Sequence, residues 1–186
     1  MTVGLSEARA QTTMDFAIGA GVFLVTVAFV VAFIPTMLQP FDGNTQDNTV
    51  AADRIASQLA GGMLGDPANP ERLDATCTKS FFESGSPPAE CRYSGTTPEE
   101  RVGLPDTTGL QVRLLGDVTD ADSGQELLCW DADTETVVEA NAAACGDPGD
   151  VELVTGNPPT SGGSIVVADR FVSIEGLPAG LEVRTW

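Results

Sequence analysis

The 186-residue sequence predicts an α+β protein in which a long N-terminal hydrophobic helix precedes a mainly antiparallel β domain. Three observations predict this class. The run from Gln11 to Leu38 is apolar enough for one continuous helix. From Leu110 onward, apolar and polar residues alternate with the period of two that half-buried strands show. All four cysteines lie beyond the hydrophobic run. We therefore divide the chain into residues 1–10, 11–38, 39–65 and 66–186.

The hydrophobic run is long enough to cross a membrane. From Phe16 to Leu38 it holds no charge, and Thr26 and Thr36 are its only clearly polar side chains. A bilayer core about 30 Å thick requires roughly 20 apolar residues in a helix. The apolar region of a cleaved secretory signal is shorter, at about 7–15 residues. We expect Pro35 to kink this helix or to end it near the membrane surface.

The residues just before the run form a recognisable pattern: a small residue, Ala10, then Gln11, then a carboxylate at Asp15. This pattern resembles the class III signal peptide of archaeal type IV pilin-like proteins. In that family a prepilin peptidase cuts between a small residue and a glutamine, and an acidic residue stands fifth in the mature chain. The resemblance implies that residues 1–10 are a leader, cut between Ala10 and Gln11. The sequence has Asp where the family usually has Glu, and Ala where it usually has Gly.

The resemblance also implies a function, that of a type IV pilin-like structural subunit rather than an enzyme. Its implied partners are the prepilin peptidase and other pilin subunits, of the same or another kind, bound through the N-terminal helix in a surface filament. The new α-amino group of Gln11 would then pair with Asp15 of a neighbouring subunit and set the register between helices. The alternative is a single-pass membrane protein whose extracellular domain binds a partner and never polymerises.

The charge of the chain is strongly negative. It has 27 acidic and 9 basic residues, a net charge of −18, and Lys79 is its only lysine. Nearly all of the excess lies beyond the hydrophobic run. A domain this acidic repels nucleic acid and anionic lipid head groups, so we expect neither as a partner. Acidic excess with scarce lysine is typical of halophilic proteins; the alternative is an acidic, partly disordered extracellular region. Arg9 beside the run favours a cytoplasmic N-terminus and an extracellular domain.

Residues 39–65 are predicted to form a hinge and a second helix. Turn residues dominate up to Asn48, which with Thr49 is a candidate helix cap. Val50, Ile55, Leu59 and Met63 then approximate one apolar face. We expect a short amphipathic helix that packs onto the following domain or continues the membrane helix.

The segment from Asp66 to Gly109 is rich in proline, glycine, serine, threonine and acids. It predicts irregular structure held by Cys77 and Cys91 rather than by a core, with Glu99-Glu100-Arg101 as a solvated turn. From Leu110 the chain predicts short strands in an antiparallel sheet or sandwich. The predicted strands are Leu110–Leu114, Leu127–Trp130 and Thr136–Val138 as a hairpin, Val151–Val154, Ile165–Ala168, Phe171–Ile174 and Leu181–Val183.

The four cysteines predict disulfides rather than a metal site. Cys77, Cys91, Cys129 and Cys145 allow three pairings. The sequential pairing would close two loops of about 15 residues, each worth about 3 kcal/mol. Zinc is the alternative, but the sequence has no histidine and no CxxC spacing. Oxidised thiols agree with a domain outside the cytoplasm.

No catalytic pattern is present in the sequence. It contains no GxSxG, HExxH, phosphate-binding loop or dinucleotide fingerprint, and no histidine to serve as a base. The sequence has two alternating acidic runs, and the first superficially suggests a calcium loop but lacks the glycine and glutamate placement of an EF-hand. We interpret both runs as solvated turns and expect no cofactor, no metal and no enzyme activity. The alternatives are a weak cation site in molar salt and a membrane-tethered hydrolase that uses two converging carboxylates. The two acidic runs consist of Asp117, Asp120 and Asp122, and of Asp131, Asp133 and Glu135.

Overall fold

The computed structural model describes residues 7–38, 45–118, 124–160 and 164–186, which belong to two compact units. The first unit contains a single long helix, and the second, from Thr45 to Trp186, contains the sheet. The predicted α+β class, an apolar helix followed by a mainly antiparallel domain, is therefore confirmed. Most of the predicted leader, the hinge around Pro40, and the acidic residues Asp120 and Asp122 lie outside the described residues.

The described residues form four α-helices, one π-helical turn and nine strands. Their bounds are α1 Glu7–Leu38, α2 Thr45–Gln58, the π-helical turn Leu59–Met63, β1 Gly65–Asp66, β2 Asn69–Leu73, α3 Ala75–Phe82, α4 Pro98–Val102, β3 Leu110–Gly116, β4 Glu126–Asp131, β5 Thr136–Glu139, β6 Val151–Glu152, β7 Val154–Gly156, β8 Val166–Ile174 and β9 Leu177–Thr185.

Helix α1 begins within the predicted leader and continues past Pro35 to Leu38. A proline removes one backbone hydrogen bond from the helix. The helix nevertheless extends beyond it by most of a turn.

Helix α2 packs against the sheet. Its buried face consists of Ala52, Ile55 and Ala56 and continues into Leu59 of the π-helical turn. The predicted face was wrong at Val50, which is 68% exposed. Two alanines at the contact allow the helix to approach the strands closely, so small residues rather than Val50 decide which face is buried. Packing against β8 and β9 is one of the two arrangements expected for this helix.

The sheet is antiparallel except at one pair. Its strand order is β1-β2-β8-β9-β3-β4-β5, with β6 beside β4 and β7 beside β3. The exception is β2, which runs parallel to β8 and pairs only with the last two residues of β8, Ser173 and Ile174. The central pairs, β8 with β9 and β9 with β3, extend over most of each strand.

The core lies between one face of this sheet and the helices of the second unit. Alternate residues of β3 and β9 point into it, as the period of two predicts. Its largest fully buried side chains are Phe81, Leu59, Leu64, Leu73, Leu110, Leu114, Leu128, Leu153, Ile174, Leu181, Val112 and Val183.

The prediction of an irregular segment between Asp66 and Gly109 was wrong. This segment contains β2, α3 and α4, and it contributes Phe81, Phe82 and Tyr93 to the core. Local capping explains both helices. Asp74 accepts a hydrogen bond from the amide of Cys77 at the start of α3, and a Thr97–Glu100 capping box starts α4. The two helices are short and well capped, but the composition around them is typical of loops, so the sequence pattern did not indicate them.

The two strands predicted at Ile165–Ala168 and Phe171–Ile174 form one continuous strand, β8. Asp169 and Arg170 interrupt the apolar run but keep its alternation. Asp169 is exposed on the outer face of the sheet, away from α2. Arg170 points the other way, and its Nη2 donates to Asp53 Oδ1 of α2 at 2.6 Å.

Candidate functional site

Helix α1 exposes apolar side chains all round. From Met14 to Ile34 it is long and apolar enough, by length and composition alone, to cross a membrane. Phe16 is 78% exposed within its unit. A helix that is apolar on every side requires lipid or other helices around it. The other large exposed side chains are Met14, Ile18, Val22, Phe23, Leu24, Val25, Val27, Phe29, Val30, Val31, Phe33 and Ile34.

Asp15 is the only charged residue of this apolar stretch and lies next to its first residue. Because α1 begins at Glu7, Asp15 lies about two turns into the helix. Ala10 and Gln11 lie in helical backbone, so the proposed cleavage bond falls in the first turns of α1. If the chain began at Gln11, Asp15 would move to the first helical turn. A negative charge there is favoured by the helix dipole.

The four cysteines form two disulfides with the sequential pairing. Cys77 of α3 bonds to Cys91, with a Cα–Cα distance of 5.4 Å, and Cys129 of β4 bonds to Cys145, with a distance of 6.2 Å. The first bond ties α3 to the loop that follows it, and the second ties β4 to the loop that follows β5. The cysteines are thus brought together in pairs in the second unit, whereas Ala10, Gln11 and Asp15 belong to the first.

Arg101 is a buried residue that sequence reasoning placed in a solvated turn. It is only 3% exposed and lies between two aromatic rings, 5.8 Å from the centroids of both Phe81 and Tyr93. Its guanidinium donates to five backbone carbonyls, at distances from 2.5 to 3.3 Å. These carbonyls belong to Ser80, Phe81, Glu83, Gly85 and Gly95. Burial raises the pKa of Tyr93, whose hydroxyl donates to the Cys77 carbonyl at 2.7 Å.

Two aspartates organise turns instead of lying free in solvent. Asp131 is 5% exposed, which contradicts its assignment to a solvated turn, whereas Asp133 and Glu135 are exposed as expected. The side-chain hydroxyl of Thr134, at 2.7 Å, is the main cause that lowers the pKa of Asp131. Asp150 accepts backbone hydrogen bonds from three residues, which lower its pKa: Gly146, Ala132 and Asp147. Asp117 is exposed.

The described residues contain no cluster of three side chains able to hold a metal ion. A groove of about 580 Å³ lies between α3 and two hairpin turns, beside Trp130, Glu135 and Glu175. Glu83, Glu135 and Glu175 are the three acidic residues that line this open groove. Within the described chain, the feature that most clearly requires a binding partner is therefore the apolar surface of α1.

Helix and domain together define a protein with an N-terminal apolar helix able to span a membrane and a disulfide-bonded α+β domain. The chain belongs to a family of unknown function (DUF7287), whose profile matches residues 7–186. That match includes both α1 and the complete sheet domain. No curated protein and no solved structure is significantly similar to the chain.

Proposed function

We propose that this protein is a type IV pilin-like structural subunit. In this proposal a prepilin peptidase removes residues 1–10, and α1 assembles with the helices of other subunits into a surface filament. The observation that carries the proposal is the exposed apolar stretch Met14–Ile34 of α1, which has one carboxylate, Asp15, next to its first residue and the Ala10–Gln11 pair in the helical turn before it.

The exposed surface of α1 supports an assembly role. Lipid covers such a helix before assembly, and the equivalent helices of neighbouring subunits cover it afterwards. Without lipid or helices around it, each large apolar side chain costs about 1.5–3 kcal/mol of lost burial. An ion pair between Asp15 and the amino group of Gln11 in the next subunit sets the axial register of the packed helices.

The second unit supports display outside the cell. Its two disulfides persist in oxidising compartments. Most of the chain's net charge of −18 belongs to this unit and keeps the domains soluble, and molar salt, with a Debye length of about 3 Å, screens repulsion between neighbouring domains. We therefore place the sheet domain on the extracellular side and propose a halophilic archaeon as the source.

The processing step is tested by mass spectrometry of the mature N-terminus. Chain isolated from its native membrane is expected to begin at Gln11. A chain that begins at Met1, or at any residue other than Gln11, contradicts the proposal. An Ala10→Trp variant should remain uncut, because the peptidase requires a small residue there, whereas Ala17→Trp beyond the junction should be cut normally.

The assembly step is tested with Asp15. Asp15→Ala should be cut normally but be lost from filaments sheared off the cells, and Asp15→Glu should restore incorporation. Equal incorporation of all three chains would favour the alternative, a single-pass membrane protein with an extracellular interaction domain that does not polymerise. Under that alternative, α1 serves only as an anchor.

A further inference from the structure

Strand β8 has an open edge. Strand β9 pairs with one side of it along its whole length, from Val166 to Ile174. On the other side β2 pairs only with Ser173 and Ile174. Within the described chain, residues 166–172 therefore have no strand beside them on this edge. Such an edge is a template for another strand.

The turn after β8 shows which backbone groups face this edge. Glu175 and Gly176 form a two-residue turn with φ angles of 49° and 83°, as in a type I′ hairpin. In such a turn the flanking residues Ile174 and Leu177 exchange backbone hydrogen bonds. Hydrogen-bonded pairs then recur at every second residue pair along β8 and β9. Even-numbered residues of β8 thus bond to β9. The odd-numbered residues from Val167 to Phe171 direct their N–H and C=O groups to the open edge.

Three side chains beside the open edge are apolar and exposed, and the charged Asp169 lies among them. Phe171 is 86% exposed, Val167 48% and Ile165 43%. All three lie on the outer face of the sheet, because Arg170 and the other even-numbered residues face α2. Aromatic side chains are enriched in protein interfaces relative to the rest of the surface.

We propose that the open edge of β8 pairs with the same edge of a second copy of this chain. A two-fold axis brings the same surface of both copies together. In the register that we favour, Ala168 faces Ala168 of the second copy. Ile165 then faces Phe171 of the other copy on both sides of the axis. A register centred on Asp169 is excluded because it places two carboxylates directly opposite each other.

Charge complementarity supports a second copy of this chain as the partner of the open edge. Arg113 and Arg184 both donate to Glu182 Oε1, at 2.6 and 2.5 Å. The terminal nitrogens of Arg184 and the carboxylate of Asp169 have no partner among the described residues. In the proposed pairing, Asp169 faces Val167 of the second copy, and Arg184 of that copy lies on the next strand, beside Val167. Asp169 and that Arg184 are therefore two strand spacings, roughly 10 Å, apart. An arginine side chain spans that distance, so the Asp169 carboxylate of each copy comes within reach of the terminal nitrogens of Arg184 in the other copy, whose Nε bonds to Glu182.

The two Asp169 carboxylates lie on a diagonal in this register, about 7–8 Å apart. Each chain also carries a net charge of −18. The repulsion between the two Asp169 carboxylates and the repulsion between the two negatively charged chains both oppose association at low ionic strength. Molar salt shortens the Debye length to about 3 Å and screens them, so the pairing is tested in molar salt.

Cysteine cross-linking of the full chain in lipid nanodiscs tests the pairing. None of the four native cysteines is free, so Ala168→Cys introduces a single reactive thiol. Residue 168 faces its counterpart in a pair without hydrogen bonds, about 4.5 Å apart between Cα atoms, which suits a disulfide. Oxidation is expected to give covalent dimers several-fold above a control, Asp133→Cys, at the exposed β4–β5 turn.

Two second-site variants test whether the edge itself is responsible. Asp169→Pro removes an N–H that points to the open edge and no bond to β9, so it should reduce Ala168→Cys dimers to the control level. Phe171→Ser, at an exposed position, should lower the yield several-fold. Tryptophan fluorescence during urea unfolding checks that both variants remain folded.

Three results would overturn the proposal. The first is a dimer yield from Ala168→Cys no higher than that from Asp133→Cys. The second is a higher yield from Asp169→Cys than from Ala168→Cys, which indicates another register. The third is a product of a different mass from native membranes, which indicates another occupant. The cross-linking does not depend on leader cleavage, so it can fail or succeed separately from the proposed function.

Discussion

The guanidinium of Arg101 lies 5.8 Å from the centroid of the Phe81 ring, and its Nη1 donates to the Phe81 backbone carbonyl at 2.5 Å. The same side chain donates to carbonyls as far along the chain as Gly95. One buried cation therefore fixes the chain from the end of α3 to the loop before α4. The Cys77–Cys91 disulfide closes the same region.

We predict that Arg101→Ala lowers the free energy of unfolding by about 3–5 kcal/mol. The substitution leaves buried carbonyls without a donor and opens space between Phe81 and Tyr93. The measurement is urea unfolding of the full chain in detergent, followed by tryptophan fluorescence. Trp130 and Trp186 both belong to the sheet domain, so the signal reports on that unit.

Arg92 provides the matched control for this prediction. It is exposed and donates to one described carbonyl, that of Gly62, at 3.0 Å. Arg92→Ala should cost at most about 1 kcal/mol. Equal losses for Arg92→Ala and Arg101→Ala would contradict the role assigned to the buried guanidinium.

We predict that replacing Cys77 and Cys91 together by alanine lowers the free energy of unfolding by about 3 kcal/mol, because a loop of this length gains entropy in the unfolded chain. The comparison is the matching double substitution of Cys129 and Cys145. Cys77 and Cys91 are both buried in the core, whereas in the second pair Cys129 is fully buried and Cys145 only half-buried. The first pair should therefore cost more, and the urea midpoints of the two variants should differ in that order.

The hydrogen bonds from Gly146, Ala132 and Asp147 lower the pKa of Asp150 in the folded chain. The unfolded chain binds the proton more readily. This carboxylate therefore stabilises the fold above the ordinary aspartate pKa of about 3.9, and the contribution is lost as the pH falls through the lower folded value. Asp150→Asn should lower stability near neutral pH and show a smaller loss than the wild type between about pH 6 and pH 3.

Urea midpoints measured across that pH range test the Asp150 prediction. The control is Asp133→Asn, which removes an exposed carboxylate that accepts no hydrogen bond in the described structure. It should retain the pH dependence of the wild-type chain. Identical pH profiles for Asp150→Asn and the wild type would refute the prediction.

We predict that Glu175→Asn stabilises the sheet domain by up to about 1 kcal/mol. Glu175 has a φ of 49° in the β8–β9 turn, a left-handed conformation that asparagine adopts at lower cost than glutamate. Urea unfolding measures the change, with Glu126→Asn at an exposed strand position as the control. A destabilised Glu175→Asn variant would show that the glutamate side chain makes a contact that outweighs its backbone strain.

Much of the fold could be predicted from local patterns. The alternation of Leu110, Val112 and Leu114 correctly indicates β3, and the acidic turn after Trp130 correctly indicates the β4–β5 hairpin. Helices α3 and α4 were missed because their signals, an Asp74 cap and a Thr97 capping box, lie within loop-like composition. The Thr97-x-x-Glu100 spacing was the available sequence signal for α4.

Part of the candidate site could likewise be predicted from the sequence, and part of it could not. The apolar run and the position of Asp15 at its start follow from the sequence alone, because a membrane helix needs only composition and length. Arg101 could not be recognised, since its five acceptors are backbone carbonyls that no side-chain pattern reveals. The open edge of β8 was also hidden, because it depends on β2 pairing with only two residues of that strand.

The sequence by itself determined the apolar helix, the acidic character of the domain and the existence of strands beyond Leu110, because each depends on residues close together in the chain. Only the tertiary structure decided which face of α2 is buried, where Arg101 finds its carbonyl partners and which strand edge stays open. These features depend on groups far apart in sequence, which meet only when the sheet and its helices pack.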